Sequence, residues 1–503
     1  MTKSLRNEFE SDSKTAYQLS LLKLDSSSDK AEDVSLAPVF TGPVLAQSAS
    51  VPSQYGLLAG VKRLNASCSL GSEEQVHEED PRIFFNVSSP SSIFICGSQG
   101  SGKSHTLSCI LEGCLIPSDA GRLHRPLTAV VFHYDTFIGD NGGSPCEAAF
   151  LATHSSVQVR VLCAPTNFQT IQKTYKRFNI HVEPLQIDQA HLSTKRMLDL
   201  MAAGQNGSSV PLYLHTIQRV LREMRLLQQI SGSKFDYQDF KKRILKSSLL
   251  PGQREPLQQR LDILESFMPS HQVAVNNRGK GKAAALQDAG SSWVPKPSQL
   301  TIVDLSCPCI SPDTACALFN FCFEIFLEQD TDVGRVVALD EAHKYMKDSV
   351  EAQSFTDTLL STVRLQRHLG ARILISTQEP TISSDLLGLC SVTIVHRFTS
   401  PAWFRALQGH VASAALGLQY GNDAPPNNKE SAELSQISPK LSFLHQIVHL
   451  RVGEALLFSP SAVFCTGSEV LGSQSVNRLG GGYMLIKVRD RLTEDGGKSV
   501  LSS

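Results

Sequence analysis

The sequence carries almost no net charge, because its 47 lysines and arginines offset its 48 aspartates and glutamates over 503 residues. Such a chain has no overall positive field to attract nucleic acid or an acidic membrane. Contact with DNA would have to come from a local basic strip. FKKRILK at 240–246 and NRGKGK at 277–282 are the candidates, and a solvated helix face or loop is the simpler interpretation of each.

Long hydrophobic runs and paired cysteine motifs are also missing. The longest apolar run, at 315–327, is interrupted by Asn320 and Glu324 and is too short to span a bilayer. The first 15 residues lack the apolar segment of a secretory signal. The 12 cysteines are scattered, and the C-x-C at Cys307 and Cys309 has no second ligand pair for zinc. We expect a soluble intracellular protein with no membrane partner, in either cytoplasm or nucleus.

What the sequence does contain is a series of apolar runs of strand length, separated by helix-like stretches. The runs lie at 127–135, 157–165, 300–306, 334–342, 371–378 and 391–398. Helical periodicity occurs at 212–230, 312–329 and 355–370. Near-continuous apolar strands alternating with helices predict an α/β fold with a mainly parallel sheet covered on both faces.

Composition divides the chain into five parts. We predict a mostly disordered polar tail at 1–80, a first part of the core at 81–164, a mainly helical insertion ending in a flexible loop at 165–298, a second part of the core at 299–490, and a flexible tail at 491–503. The amphipathic stretch at 212–230 lies inside the insertion. It could pack on its own core or fit the groove of a partner.

A glycine cluster follows the apolar stretch SIFIC and matches G-x-x-x-x-G-K-[ST]. Glycines allow successive backbone N–H groups to surround an anion, and the next helix presents its positive end to phosphates. Lys103 would contact β- and γ-phosphate oxygens, and the Ser104 hydroxyl would bind Mg²⁺. The predicted binding residues are Gly97, Ser98, Gln99, Gly100, Ser101, Gly102, Lys103 and Ser104. The alternative is a glycine turn without a ligand.

An acidic pair ends another apolar run, in VVALDEAH. Asp340 would hold the water shell of Mg²⁺, and Glu341 would activate the water that attacks the γ-phosphate. A simple helix-capping pair is the alternative interpretation. With the glycine cluster, this pair predicts an ATPase that binds ATP and Mg²⁺.

The next predicted strand ends in two polar residues, Thr377 and Gln378, which would lie between the two motifs. There Gln378 could sense the γ-phosphate or orient the water. An ordinary strand end is the alternative.

Arginines can stabilise the charge that builds on the γ-phosphate. Arg367 is the first candidate and Arg397 the second, although each could simply be solvated or structural.

The motifs GSQGSGKS, LDEAH and STQEPTISSDLLGLCSVTIVHRF, taken in order, resemble the HerA–FtsK group of P-loop ATPases, and its HerA branch most closely. The similarity covers roughly residues 85–135 and 300–465. It implies a RecA-like P-loop NTPase core with a large insertion, ATP bound between neighbouring subunits, a homo-oligomer such as a hexameric ring, and double-stranded DNA as the polymer that is moved.

The letters DEAH also occur in superfamily-two helicases, but in those enzymes the arginine motif belongs to a second motor domain far downstream. The stretch that resembles the arginine motif here is QRHLGAR, at 366–372. It lies within about 30 residues of Asp340 and before the strand end at Thr377 and Gln378, which argues against that assignment. Two functional hypotheses remain. The chain is a DNA-translocating ATPase of the HerA type, or it is a nucleotide-gated scaffold or signalling ATPase that does not move DNA.

Overall fold

A computed structural model describes residues 34–48, 50–65, 80–139, 142–202, 212–247, 249–273, 290–330, 332–410, 443–466 and 475–496. The basic loop at 277–282 lies outside these ranges, as do residues 1–33 and 66–79 of the predicted tail and residues 497–503.

The described strands are β1 (Val39–Thr41), β2 (Tyr55–Asn65), β3 (Arg82–Asn86), β4 (Ser92–Cys96), β5 (Gly121–Arg122), β6 (Thr128–His133), β7 (Gln158–Cys163), β8 (His181–Pro184), β9 (Gln299–Asp304), β10 (Arg335–Leu339), β11 (Ala371–Thr377), β12 (Val392–Val395), β13 (Glu454–Phe458), β14 (Val463–Thr466), β15 (Ser475–Arg478) and β16 (Tyr483–Val488). The described α-helices are α1 (Gly42–Gln47), α2 (Lys103–Leu115), α3 (Phe168–Tyr175), α4 (Thr194–Ala202), α5 (Leu212–Ser231), α6 (Tyr237–Leu245), α7 (Pro251–Ser266), α8 (Ser270–Val273), α9 (Pro312–Glu328), α10 (Val350–Leu369), α11 (Ser384–Leu389) and α12 (Pro401–His410). None of the helices in these ranges has both the length and the apolar character needed to cross a bilayer.

The strands form one 16-stranded sheet in the order β15-β14-β1-β3-β2-β16-β13-β12-β4-β11-β10-β6-β9-β7-β8, with β5 paired to β2. From β12 to β8 every neighbouring pair is parallel. The strands at the other end, from β3 through β2 and β16 to β13 and β12, pair antiparallel. The predicted α/β fold with a mainly parallel central sheet is confirmed.

Both faces of the parallel part are buried, because alternate residues of its strands enter different apolar clusters. In β6, Val130 and Phe132 pack with α9 and α10, where Phe132 and Phe319 have ring centroids 5.0 Å apart. Ala129 and Val131 face the opposite side and pack with α2. This two-sided burial explains why β6 reads as a continuous apolar run.

The helix predicted at 212–230 is confirmed as α5, and its first half packs on the protein's own core. Ile217, Val220 and Leu221 are at most 2% exposed and belong to the larger apolar cluster. Its second half leaves Leu226 and Ile230 exposed at 60% and 85%. The interpretation of α5 as a core helix therefore holds for its first half.

The prediction that residues 1–80 form a mostly disordered tail is wrong for residues 34–65. Strand β1 pairs with β3 and β14, and β2 lies between β3 and β16. Phe40, Tyr55 and Phe84 form an aromatic cluster with ring centroids 5.3–5.6 Å apart. One partner of each strand, β14 for β1 and β16 for β2, comes from a distant part of the chain, and the polar residues on either side hide the apolar ones in an average composition.

The parallel sheet also continues past residue 164, the predicted start of the insertion. Strand β8 adds to the sheet edge by pairing in parallel with β7. Its sequence, HVEP, is short and half polar, so it gives almost no periodic signal. The helical part of the insertion, α4 to α8, follows this strand.

The predicted flexible tail at 491–503 is wrong for residues 491–496, which are bound to α2. The carboxylate of Glu112 is fully buried and accepts hydrogen bonds from the backbone N–H of Leu492 at 3.0 Å and from the Thr493 hydroxyl at 2.6 Å. The side chain of Arg491 is also buried and ion-pairs with Glu147 at 2.7 Å. Because a carboxylate so deeply buried requires partners, these contacts hold the segment in place.

Candidate nucleotide-binding site

The glycine cluster forms the turn between β4 and α2. Gly97, Gly100 and Gly102 have φ values of 153°, 72° and 113°, a region that L side chains rarely adopt. At Gly97 an added Cβ would also lie 2.7 Å from the Cβ of His396. The sequence needs glycine here because the turn is both left-handed and tightly packed.

Neighbouring segments hold this turn in shape. The backbone N–H and the hydroxyl of Ser98 both donate to the carbonyl of Arg397 at 2.8 Å. The Ser101 hydroxyl donates to the Ser98 carbonyl at 2.7 Å, and the Ser101 carbonyl accepts from the N–H of Gly453 at 3.2 Å. Gln99 is exposed at the tip. The turn is therefore a fixed loop attached to the strand ends beside it.

Lys103 begins α2 and turns its side chain into the protein, where it is 3% exposed. Its Nζ donates to the Ser98 carbonyl at 3.2 Å and lies 4.0 Å from Oε1 of Glu341. Burial lowers the pKa of Lys103, while the nearby Glu341 carboxylate acts to raise it. The half-buried Ser104 is the second residue of the same helix.

The acidic pair follows the carboxyl end of β10, and the glycine turn follows the same end of the parallel strand β4. Glu341 adopts the left-handed conformation with φ of 49°, which is uncommon for a residue with a side chain. Asp340 is 4% exposed, and its Oδ1 has no hydrogen-bond partner among the described residues. Burial alone would raise the pKa of Asp340, but the imidazole of His133 and the ammonium of Lys103 hold it below its ordinary value.

Strand β11 lies directly between β4 and β10, with Thr377 in register with Cys96. Gln378, the next residue, donates from Nε2 to Oε2 of Glu341 at 3.2 Å. His343 places its Nδ1 3.4 Å from the same carboxylate oxygen. Lys103 after the glycine turn and Gln378 after β11 therefore both contact the carboxylate of Glu341.

The two candidate arginines lie at opposite ends of the central parallel strands. Arg397 follows β12 beside the glycine turn and is half-buried, with its carbonyl bonded to Ser98. Arg367 is exposed in the last turn of α10, which leads into the start of β11. The seven residues of β11 rise roughly 20 Å. Arg367 is therefore remote from the glycine turn of its own chain.

A buried histidine behind the glycine turn is absent from the sequence-based predictions. Nδ1 of His396 lies 3.0 Å from the carbonyl of Glu454, which can only accept, so Nδ1 carries the proton. Nε2 then accepts from the hydroxyl of Thr106 in α2 at 2.9 Å. Burial lowers the pKa of His396 to about 3, so the ring is neutral at pH 7. His396 ties α2 to the end of β12, and no local sequence motif marks this role.

A second histidine missed from the sequence lies beside Asp340. Nδ1 of His133, at the end of β6, is 3.4 Å from Oδ2 of Asp340, and Sγ of Cys146 is 3.8 Å from the same oxygen. All three side chains are buried. In the sequence, Cys146 is separated from Asp340 by 194 positions, so no local pattern links them.

The strand before the glycine turn (β4), β11 and the strand before the acidic pair (β10) are adjacent in that order, and together with the motifs they define a RecA-like P-loop NTPase core. The motifs and this strand order agree, and within that class the chain resembles the HerA–FtsK group.

Comparison with known proteins gives solved structures only; no family model and no curated protein matches the chain. The chain is similar to VirB4 of Thermoanaerobacter pseudethanolicus, with 10% identity, a TM-score of 0.41 and coverage of 86% of this chain and 96% of that one. It is similar to the bacterial conjugative coupling protein TrwBdeltaN70, with 11% identity, a TM-score of 0.38 and coverage of 73% and 82%. A third similar structure is the genome packaging NTPase B204 of Sulfolobus turreted icosahedral virus 2 in complex with ATP-gammaS, with 12% identity, a TM-score of 0.21 and coverage of 36% and 68%.

Proposed function

We propose that the protein is a P-loop ATPase that binds MgATP at the glycine turn and hydrolyses it with Glu341 as the general base. The observation that carries this proposal is the contact of Glu341 with two other motifs. One oxygen lies 4.0 Å from Nζ of Lys103, and the other accepts from Gln378 at 3.2 Å. A surface turn and a capping pair without a ligand would have no reason to meet in this way.

In this proposal the backbone from Gly97 to Ser104 binds the phosphates, and Lys103 places its charge on the β- and γ-phosphate oxygens. The donor set suits Mg²⁺, because a hydroxyl and a carboxylate supply the oxygen ligands that this ion prefers. The unpaired Oδ1 of Asp340 also fits, since a buried carboxylate oxygen needs a partner. Ser104 and Asp340 would hold the ion, which when bound neutralises charge on the phosphates.

Glu341 accepts the proton of the attacking water, and Gln378 fixes the orientation of its carboxylate. The Gln378 side chain donates to Oε2, so Oε1 keeps its lone pairs for the water. The left-handed backbone at Glu341 is strained by about 1–3 kcal/mol, and such strain is often found at catalytic positions. Gln378 is therefore the residue that positions the base.

Arg397 lies close enough to the glycine turn to act within its own chain. Arg367 lies at the opposite end of the parallel strands from the glycine turn and can reach only the nucleotide of a neighbouring subunit. We therefore propose a homo-oligomer, with a hexameric ring as the form that the HerA–FtsK resemblance implies. In such a ring Arg367 stabilises the γ-phosphate charge of the adjacent subunit.

We propose double-stranded DNA as the polymer, on the basis of the motif resemblance. The charges of the insertion favour the second candidate, a nucleotide-gated scaffold. In α6, Lys241 pairs with Glu265 at 2.6 Å and Arg243 pairs with Asp239 at 2.8 Å, which compensates half of this basic strip. The exposed end of α5 would suit a protein partner as well.

The dependence of ATP turnover on DNA separates the two candidates. A motor predicts a many-fold rise in turnover with duplex DNA, and a loss of that rise as salt increases, because phosphate contacts release counterions. A scaffold predicts an unchanged rate. Lys103→Ala abolishes turnover in both cases; turnover at the wild-type rate in this variant would contradict the ATPase assignment itself.

A further inference from the structure

Among the described residues, one buried cluster, which shares Asp340 with the proposed Mg²⁺ site, combines three metal-ligating side chains. His133, Cys146 and Asp340 place their ligand atoms within 4.8 Å of one another. They come from the end of β6, from the residue before a 3₁₀ helix (Glu147–Thr153) and from the residue after β10. The Cys307–Cys309 pair is different, because Cys309 is exposed and no further ligand was found with it among the described residues.

Two of the three separations between these atoms are close to those of ligands around a small divalent cation. Bonds of about 2.0–2.3 Å at tetrahedral angles separate neighbouring ligand atoms by about 3.3–3.6 Å. Oδ2 of Asp340 lies 3.4 Å from Nδ1 of His133 and 3.8 Å from Sγ of Cys146. The ligand atoms of His133 and Cys146 lie within 4.8 Å of each other. Bringing them to the spacing of bound ligands requires a side-chain movement on the order of 1 Å, which a rotation about the side-chain bonds can provide.

The hydrogen bonding of the cluster also points to a missing partner. The His133 side chain is 8% exposed, and while its Nδ1 faces Oδ2 of Asp340 at 3.4 Å, its Nε2 has no hydrogen-bond partner among the described residues. Buried polar atoms without partners are rare in native proteins, and an ion that is not present is one of the standard explanations.

The ligand types favour zinc over magnesium. A thiolate and an imidazole are ligands of Zn²⁺ and Co²⁺, whereas Mg²⁺ binds oxygen. A cysteine thiol must lose its proton to bind such a metal. Coordination would replace that proton, which leaves to solvent while the sulfur–metal bond forms. Three protein ligands leave a fourth position open.

We propose that His133, Cys146 and Asp340 form a binding site for a divalent cation of the zinc type, which restrains Asp340 and lowers ATP turnover. The inhibitory effect rests on the proposed function, whereas binding does not. A 2+ ion on one oxygen of Asp340 withdraws its negative charge and repels a second 2+ ion at the other. Zinc therefore raises the Mg²⁺ concentration that turnover requires.

Binding is tested first, with Co²⁺ added to the metal-free protein in the absence of nucleotide. We expect one Co²⁺ per chain and a thiolate-to-cobalt charge-transfer band. Cys146→Ser removes the band, and His133→Gln weakens binding by more than about tenfold, the least expected for a ligand. The exposed Cys309→Ser is the matched control and keeps the band. Thermal unfolding shows whether each variant is folded, and having two ligand variants keeps the test decisive.

The second measurement is ATP turnover in buffered Zn²⁺, relative to the zinc-free rate of each protein. We expect Zn²⁺ to lower wild-type turnover at low Mg²⁺, excess Mg²⁺ to restore it, and Cys146→Ser to abolish this sensitivity. A wild-type protein without the band, or a Cys146→Ser variant that keeps it, overturns the site. Binding without any ATP turnover would instead overturn the proposed function and leave the metal site standing.

Discussion

Glu341→Gln tests the assignment of the general base, because the change removes a negative charge and a proton acceptor while keeping the size of the side chain. The substituted amide oxygen can still accept from Gln378, which lies 3.2 Å from the carboxylate in the native chain. The site should therefore keep its shape. What is lost is the group that takes the proton from water.

Two magnitudes follow from the structure. Loss of a positioned general base lowers turnover by about 10²–10⁴-fold. The charge pair between Glu341 and Lys103, 4.0 Å apart, is worth at most about 4 kcal/mol at an effective dielectric constant near 20. This attraction competes with phosphate for the ammonium of Lys103. Removing it should leave ATP affinity unchanged or higher, although turnover is lost.

Single-turnover hydrolysis and equilibrium binding of a fluorescent ATP analogue measure the two effects separately. Glu379→Gln is the matched control, since Glu379 is exposed one residue beyond Gln378, and we expect it to hydrolyse ATP at the wild-type rate. If Glu341→Gln also keeps the wild-type rate, Glu341 is not the base. If it loses ATP binding, the charge argument fails.

Three further changes test other parts of the site. Gln378→Ala should lower turnover by up to about 100-fold through misplacement of the base, with ATP binding retained; weakened ATP binding in this variant would contradict the positioning role. Arg367→Ala should be inactive alone but regain partial ATP turnover when mixed with Glu341→Gln, because each variant supplies what the other lacks; wild-type turnover of Arg367→Ala alone would refute a role in trans. For His396, whose pKa is about 3 in the folded chain against an ordinary 6.5, the unfolded chain binds an extra proton between those values. The contribution of the neutral His396 ring to the free energy of unfolding is therefore fully present above pH 6.5. It falls by roughly 1.4 kcal/mol per pH unit as the pH drops below that value. His396→Gln should flatten the fall in thermal midpoint between pH 6.5 and 5; an identical fall would contradict the neutral buried ring.

Much of the parallel sheet was predictable because its signals are local. Strands buried on both faces, such as β6 and β11, are continuous apolar runs, and α10 ends at Gly370 in the left-handed conformation that glycine favours. The catalytic candidates follow such strands directly. The parallel packing then brings Gln378 to Glu341 without further information from the sequence.

The parts that escaped prediction depend on contacts between distant segments. Strand β2 is stabilised by β3 and β16, and the segment around Thr493 is stabilised by Glu112, 381 positions away. His396 and Cys146 carry no motif. Their meaning comes from the strand ends beside them, so only the folded chain reveals it.

The central claim is that the glycine turn and the acidic pair hold a single nucleotide and its ion. A structure determined with Mg²⁺ and a non-hydrolysable ATP analogue tests this claim most directly. We predict one ion bonded to the Ser104 hydroxyl, with Asp340 hydrogen-bonded to its water shell and Lys103 on the γ-phosphate. A nucleotide bound elsewhere, or an ion that contacts Ser104 while Asp340 remains outside its water shell, would contradict the account.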